Sequence, residues 1–343
     1  MTDFFLNYGL FLAKTVTIVV AISAVMLFSV FLASKKGAHK KESIEIRKLN
    51  KKYDDMAMAM NVSMLHKEGL KKYLKDEKEK LKEIVKSIKD GVHKKRIYVL
   101  NFHGDIRASA VSALREEITA ILTVATENDE VFVRLESGGG VVHGYGLGAS
   151  QLMRVREKNI PLTVSVDKVA ASGGYMMACV GSRILAAPFS IIGSIGVIAQ
   201  VPNFNKVLKK HDIEYDQFTA GEFKRTVTMF GENTDEAKAK FREEIEDIHV
   251  LFKDFIVQHR PDVDIVKIST GESWPGTRAL EKKLVDELKT SDDYLLERSK
   301  DADIYEIKYV NKKSLGKRIG LQIQRLLDKV QYGWIPFRLN NPA

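Results

Sequence analysis

Cysteine is almost missing from this chain: Cys179 is the single thiol among 343 residues. That excludes an intrachain disulfide framework and any cysteine-ligated metal site. Its place in an apolar stretch suits a buried small hydrophobe. No His-Glu-x-x-His or comparable ligand spacing occurs, so a metal site is not expected. The glycine run 138–140 lacks the Lys-Ser/Thr ending of a phosphate loop. No Gly-x-Ser-x-Gly elbow surrounds Ser172, which argues against the α/β-hydrolase form of serine chemistry. Nothing in the sequence calls for a cofactor, and none is expected. Proline is absent from residues 43–90, where Gly69 is the only glycine.

Charge is plentiful but unevenly placed. The net charge is +9, yet residues 35–52 alone carry +6 and residues 307–343 carry +7. The body between them is therefore acidic on balance, and a nucleic-acid partner is not expected. Basic ends suit anionic lipid head groups better. Residues 15–33 contain no charge and are rich in Val, Ile, Leu and Phe. At ~1.5 Å per residue such a segment reaches across a hydrocarbon core of roughly 30 Å. It exceeds the apolar core of a cleaved signal peptide, about 7–15 residues. The expectation is a retained single transmembrane helix, with the bilayer as a partner. Only Lys14 precedes it, whereas Lys35, Lys36, Lys40 and Lys41 follow closely. The positive-inside rule then favours a cytoplasmic body.

Four segments emerge: residues 1–34 with the apolar span, a charged helical stalk at 35–95, a catalytic body at 96–300, and a basic amphipathic tail at 301–343. In the stalk, Leu70, Leu74, Leu81, Ile84 and Ile88 recur at helical spacing among Lys and Glu. Met56, Met58, Met60 and Met64 form a flexible apolar face. In the tail, Leu315, Ile319, Ile323, Leu326 and Val330 share one helical face, as on a membrane-surface helix or a docking segment. In the body, short β-branched runs at 97–102, 131–135, 162–166, 183–186 and 195–199 alternate with helical stretches at 109–124 and 145–158. Further helices are expected at 234–258 and 277–288. This alternation predicts an α/β fold of parallel βαβ units.

The chemistry concentrates in Val169-Ala-Ala-Ser172-Gly-Gly-Tyr-Met-Met-Ala-Cys-Val-Gly-Ser182. Ser172 precedes a small-residue helix, whose N-terminal N–H groups favour developing negative charge. A serine nucleophile also needs a base, and Thr219-Ala-Gly-Glu-Phe-Lys224-Arg offers a lysine. Together with Val99–Ile106, Leu135-Glu-Ser-Gly-Gly-Gly-Val-Val-His-Gly-Tyr-Gly146, Gly193-Ser-Ile-Gly-Val197 and Gly271-Glu-Ser-Trp-Pro-Gly-Thr-Arg-Ala279, these stretches resemble the signal peptide peptidase A family of serine proteases. One departure is Gly138, where the family usually has proline.

The resemblance implies Ser172 as nucleophile, Lys224 as general base, Ser194 as the hydroxyl that orients the lysine, and Gly139 and Gly173 as oxyanion donors. It also implies a ClpP/crotonase-like spiral of ββα units, a membrane-anchored endopeptidase acting on hydrophobic, signal-peptide-like polypeptides, and a homo-oligomer. The family works on the periplasmic side of the bacterial inner membrane, so the charge rule and the family disagree on the side of the body. His103 or His143, oriented by Asp105, is the rival base. A crotonase-type acyl-thioester enzyme and a non-catalytic peptide-binding scaffold are the alternative functions.

Overall fold

The computed structural model describes residues 2–35, 41–89, 94–221 and 223–312. The chain forms two units, residues 44–309 and residues 1–43 with 310–343, and every candidate site residue lies in the first. In chain order the elements are α1 (Thr2–Lys35), β1 (Lys41–Lys48), α2 (Leu49–Met64), α3 (Lys67–Lys89), β2 (Lys95–His103), α4 (Val111–Leu122), β3 (Glu130–Glu136), α5 (Val142–Arg156), β4 (Leu162–Val166), β5 (Val169–Ala171) and α6 (Gly173–Ala178). There follow β6 (Arg183–Ala186), β7 (Ile191–Gly193), α7 (Asn205–Lys210), α8 (Asp235–His259), α9 (Ile265–Ile268), β8 (Ser273–Pro275), α10 (Gly276–Glu281), β9 (Glu287–Leu288), α11 (Ser291–Arg298) and β10 (Ala302–Lys312).

Seven strands make the main sheet, in the order β1-β10-β2-β3-β4-β6-β9. The pairs from β10 to β9 are all parallel. A small sheet, β5-β7-β8, is parallel at its first pair and antiparallel at its second. The nearly unbroken apolar runs of β2, β3 and β4 suit strands covered on both faces. Alternation along β2 shows the two faces directly. Tyr98, Leu100 and Phe102 enter one cluster with Leu114, Ile118, Leu152 and Tyr175, drawn from α4, α5 and α6. Ile97 and Val99 enter the other, with Leu49, Phe132, Leu295 and Ile304. Full burial of each such side chain contributes about 1.5–3 kcal/mol.

Several sequence expectations are corrected. Among the described residues, no helix is long and apolar enough to cross a membrane. The transmembrane helix, the bilayer as partner, the inner-membrane location and the membrane-anchored form of the function all fall with that finding. The helical stalk is corrected as well. Residues 41–48 are a strand of the main sheet, and Leu49 is buried in the core. Asn50 donates to the carbonyls of Ser299 and Ala302 at 2.9 and 2.8 Å and accepts from the Ile304 N–H at 2.7 Å. A segment bonded into the sheet in this way cannot act as a spacer. The expected amphipathic helix at 315–330 lies outside the described residues. The fold class is thus α/β on two sheets, with neither a spanning helix nor a helical stalk found among the described residues.

Two local differences have conformational causes. Residues 195–199 are not a strand, because the chain turns through positive φ at Gly193 (107°) and Ser194 (51°); the strand is β7, just before. The helix expected over 277–288 stops at Glu281 because Lys283 adopts φ 59°. The chain then returns to the sheet, with the Asp286 N–H on the Ile184 carbonyl at 2.9 Å.

At the start of β2, the buried Asp129 carboxylate accepts from Arg96 Nε (2.9 Å) and the Arg96 N–H (3.1 Å). It also accepts from the Thr126 N–H (2.8 Å) and Oγ1 (3.0 Å). Burial pushes this carboxyl up, but the bonds from Arg96 and Thr126 outweigh it and hold it below its ordinary 3.8. Its stabilising contribution is therefore present above pH 3.8 and is lost as pH falls through the lower folded value. Asp129→Asn is expected to cost about 2 kcal/mol at pH 7, measured by urea unfolding. The gap to wild type should narrow when the unfolding is repeated in acid.

Candidate active site

Ser172 stands between β5 and α6 with φ 53° and ψ −121°. A non-glycine residue in this region costs on the order of 1–3 kcal/mol and persists only where its surroundings over-determine it. Here they do. The Ser172 N–H donates to the Gly193 carbonyl at 2.7 Å, and its own carbonyl accepts from the Met176 N–H at 3.0 Å. Gly173 follows because nothing larger fits: a Cβ there would meet the Tyr145 ring at 2.4 Å. With six residues, α6 is too short to lend much macrodipole. Its polar contribution is the Gly173 N–H, which opens the helix where intrahelical acceptors run out.

The glycine loop after β3 leans directly on this turn. Gly139 has φ +88°, and a Cβ there would lie 2.7 Å from Ser172 Cβ and 2.8 Å from the Gly173 nitrogen. The structure therefore brings Ser172, Gly173 and Gly139 together. The Gly139 N–H, however, donates to Ser137 Oγ at 3.0 Å, so this expected oxyanion donor is engaged by a side chain of its own loop. Ser194 lies one residue beyond the carbonyl that holds Ser172, and its N–H donates to the Glu272 carbonyl at 2.6 Å.

Lys224 is placed differently. Residues 211–234 form no helix or strand among the described residues, and the Lys224 side chain is exposed. Its backbone N–H donates to the Gly221 carbonyl at 3.2 Å, but among the described residues no hydrogen bond joins its Nζ to Ser172 or Ser194. The burial expected from the neighbouring Phe223 does not occur, since Phe223 is itself 48% exposed. The histidines are no closer to the role. His103 sits exposed beside Glu136 at 3.6 Å, and His143 is exposed on α5. Asp105 spends its carboxylate on the Ser109 N–H (2.8 Å) and Oγ (2.6 Å). These bonds hold it below the ordinary carboxylate range, and it orients neither histidine. Among the described residues, no group of three His, Cys, Asp or Glu could hold a metal ion.

Against Ser172 lies a cavity of about 70 Å³ lined by Gly140, Val142, Met176, Val197, Ile198, Ile248 and Phe252, with Gly173 and Gly196. Its walls are apolar, and its volume holds a small side chain. Ile248 and Phe252 come from α8, and periodicity alone does not show that this helix reaches the serine. Tyr145 was equally hidden. Its place eight residues after Ser137 carries no signal that the two side chains meet.

Residues 3–152 match the profile of Peptidase family S49 N-terminal, and residues 154–305 match Peptidase family S49. A protein of Haemophilus influenzae named "Probable protease SohB" is 48% identical over 338 residues, covering 94% of each chain. One of the same name from Buchnera aphidicola subsp. Schlechtendalia chinensis is 50% identical over 305 residues, covering 86% of this chain and all of the relative. Another, from Buchnera aphidicola subsp. Acyrthosiphon pisum, is 48% identical over 325 residues, covering 94% of this chain and 95% of its own. With matches that run nearly end to end and a serine seated against a glycine loop, the chain belongs to peptidase family S49, the signal-peptide-peptidase-like serine proteases, and is a serine peptidase.

Proposed function

We propose that the chain cleaves polypeptides internally with Ser172 as nucleophile and Lys224 as general base, at bonds that follow a small apolar residue. The observation that carries this reading is the seat of Ser172, a strained serine pressed between a glycine loop and an apolar cavity of about 70 Å³. Ser172 Oγ attacks the scissile carbonyl while neutral Lys224 Nζ takes its proton. The carbonyl oxygen becomes an oxyanion facing the Gly173 N–H and the Gly139 loop. Collapse expels the amine, which receives the proton back from Lys224, and leaves an acyl-serine that water hydrolyses with the same base. A preorganised backbone donor such as the Gly173 N–H is worth about 3 kcal/mol to the transition state.

Lys224 rests on the Gly221-Glu-Phe-Lys224 stretch, and in this reading its exposed loop must bring Nζ to the serine. The residue entering the cavity is alanine-sized to valine-sized, because Met176, Ile248 and Phe252 close it.

Digestion of a peptide library by wild type, Ser172→Ala and Lys224→Ala, read by mass spectrometry, tests the reading. Each variant is expected to lose about 10³-fold or more, with wild-type cuts following small apolar residues. Undiminished cleavage by Ser172→Ala would remove the nucleophile, and undiminished cleavage by Lys224→Ala would remove the base. Peptide binding without cleavage by wild type would favour the scaffold. Gly139→Ala meets both a disallowed φ and the Ser172 Cβ. It should destabilise the fold by roughly 1–3 kcal/mol in chemical denaturation and lower turnover as well.

A further inference from the structure

Beneath the glycine loop lies a chain of hydrogen bonds that none of the site residues above accounts for. Tyr145, fully buried, donates its phenolic proton to the Asp105 carbonyl at 2.8 Å. A carbonyl can only accept, so the phenol has no proton left for its second contact, Ser137 Oγ at 2.6 Å. Ser137, 2% exposed, is therefore the donor in that contact, and its oxygen is left to accept the Gly139 N–H at 3.0 Å. The polarity of all three bonds is determined: Gly139 to Ser137, Ser137 to Tyr145, Tyr145 to Asp105. Burial raises the Tyr145 phenol above its ordinary value, with the bond from Ser137 acting the other way. The phenol thus stays protonated across the neutral range.

The same two residues touch the opposite wall. The Tyr145 ring lies where a Gly173 Cβ would stand, and the Ser137 carbonyl lies where a Gly174 Cβ would stand, 2.5 Å from it. Gly104 leaves the space the hydroxyls fill, since its Cβ would sit 2.4 Å from both oxygens.

We propose that Ser137 and Tyr145 are a positioning pair, a buried hydroxyl relay that sets the Gly139 loop and the Gly173 turn at the spacing needed to receive the oxyanion. The proposal rests on the Ser172 reading above. The pair touches neither the substrate nor the reacting atoms, so its loss should appear in kcat rather than in KM.

The test measures kcat, KM, Tm and the rate of fluorophosphonate labelling at Ser172, located by mass spectrometry. It compares wild type, Ser172→Ala, Tyr145→Phe, Ser137→Ala and the double variant. Tyr145→Phe keeps the ring beneath Gly173 and removes only the relay. The expected result is a loss of about 10-fold or more in kcat and labelling rate, short of the ~10²–10³ for outright removal of an oxyanion donor. KM should stay within about twofold, and the double variant should lose no more than the worse single one. Wild-type kcat in Tyr145→Phe, losses confined to KM or Tm, or losses that multiply in the double variant would each overturn the positioning role. No labelling of wild type at Ser172, or undiminished cleavage by Ser172→Ala, would instead overturn the serine reading and the relay with it.

Discussion

Ser137 is bonded to β5 from both sides of its backbone. Its N–H donates to the Val169 carbonyl at 2.9 Å and its carbonyl accepts from the Ala171 N–H at 3.0 Å. That pair of bonds joins the end of the main sheet to the start of the small one, and it brings the loop after β3 against the turn after β5. Ser172 and the glycine loop belong to stretches more than thirty residues apart in sequence, yet they cannot drift apart while this junction holds. The strain at Ser172 is maintained by the same junction and by the Gly193 carbonyl on the other side. Two bonded walls thus hold the strained φ and ψ of Ser172 in place.

The sheet beneath supplies the rigidity. With apolar side chains on both faces of β2 and β3, the strand ends that carry the site are anchored in close-packed surroundings of low compressibility. Polar groups inside this body are satisfied in sets. Glu130 accepts from Thr163 Oγ1 at 2.8 Å and from Tyr294 OH at 2.6 Å, and Asp129 is saturated by Arg96 and Thr126. The hydroxyl relay at Ser137 and Tyr145 belongs to the same style of construction. Within these sets each buried donor has an acceptor, which offsets its desolvation.

The segment from Ile198 to Asn233 is built on other terms. Among the described residues it contributes no strand, and Ile198, Phe218 and Phe223 stand exposed. Lys224 shares that exposure. Ser172 is thus seated against a bonded glycine loop, whereas Lys224 stands on exposed chain. The same contrast applies at the start of the chain, where β1 and Asn50 are bonded into the sheet although their charged composition suggests a solvated spacer.

Local composition determined what local physics controls. Alternating β-branched runs and amphipathic stretches announced the α/β body, since burial on a sheet face or helix stripe is written in side-chain periodicity. The Gly-rich stretches marked the close approaches at Gly139 and Gly173, because only glycine tolerates them. Tertiary structure decided the rest. Residues 41–50 became part of the sheet through backbone and Asn50 bonds that composition does not encode. The helix expected to reach 288 ended at Glu281, just before Lys283 takes a left-handed conformation. The pairing of Ser137 with Tyr145, and of the serine with Ile248 and Phe252 of α8, depends on distances set by the whole packed sheet. Motif order placed Ser172 and Lys224 in one sentence of sequence, but only the folded backbone sets the space between them, because spacing along a chain carries no information about spacing across a loop.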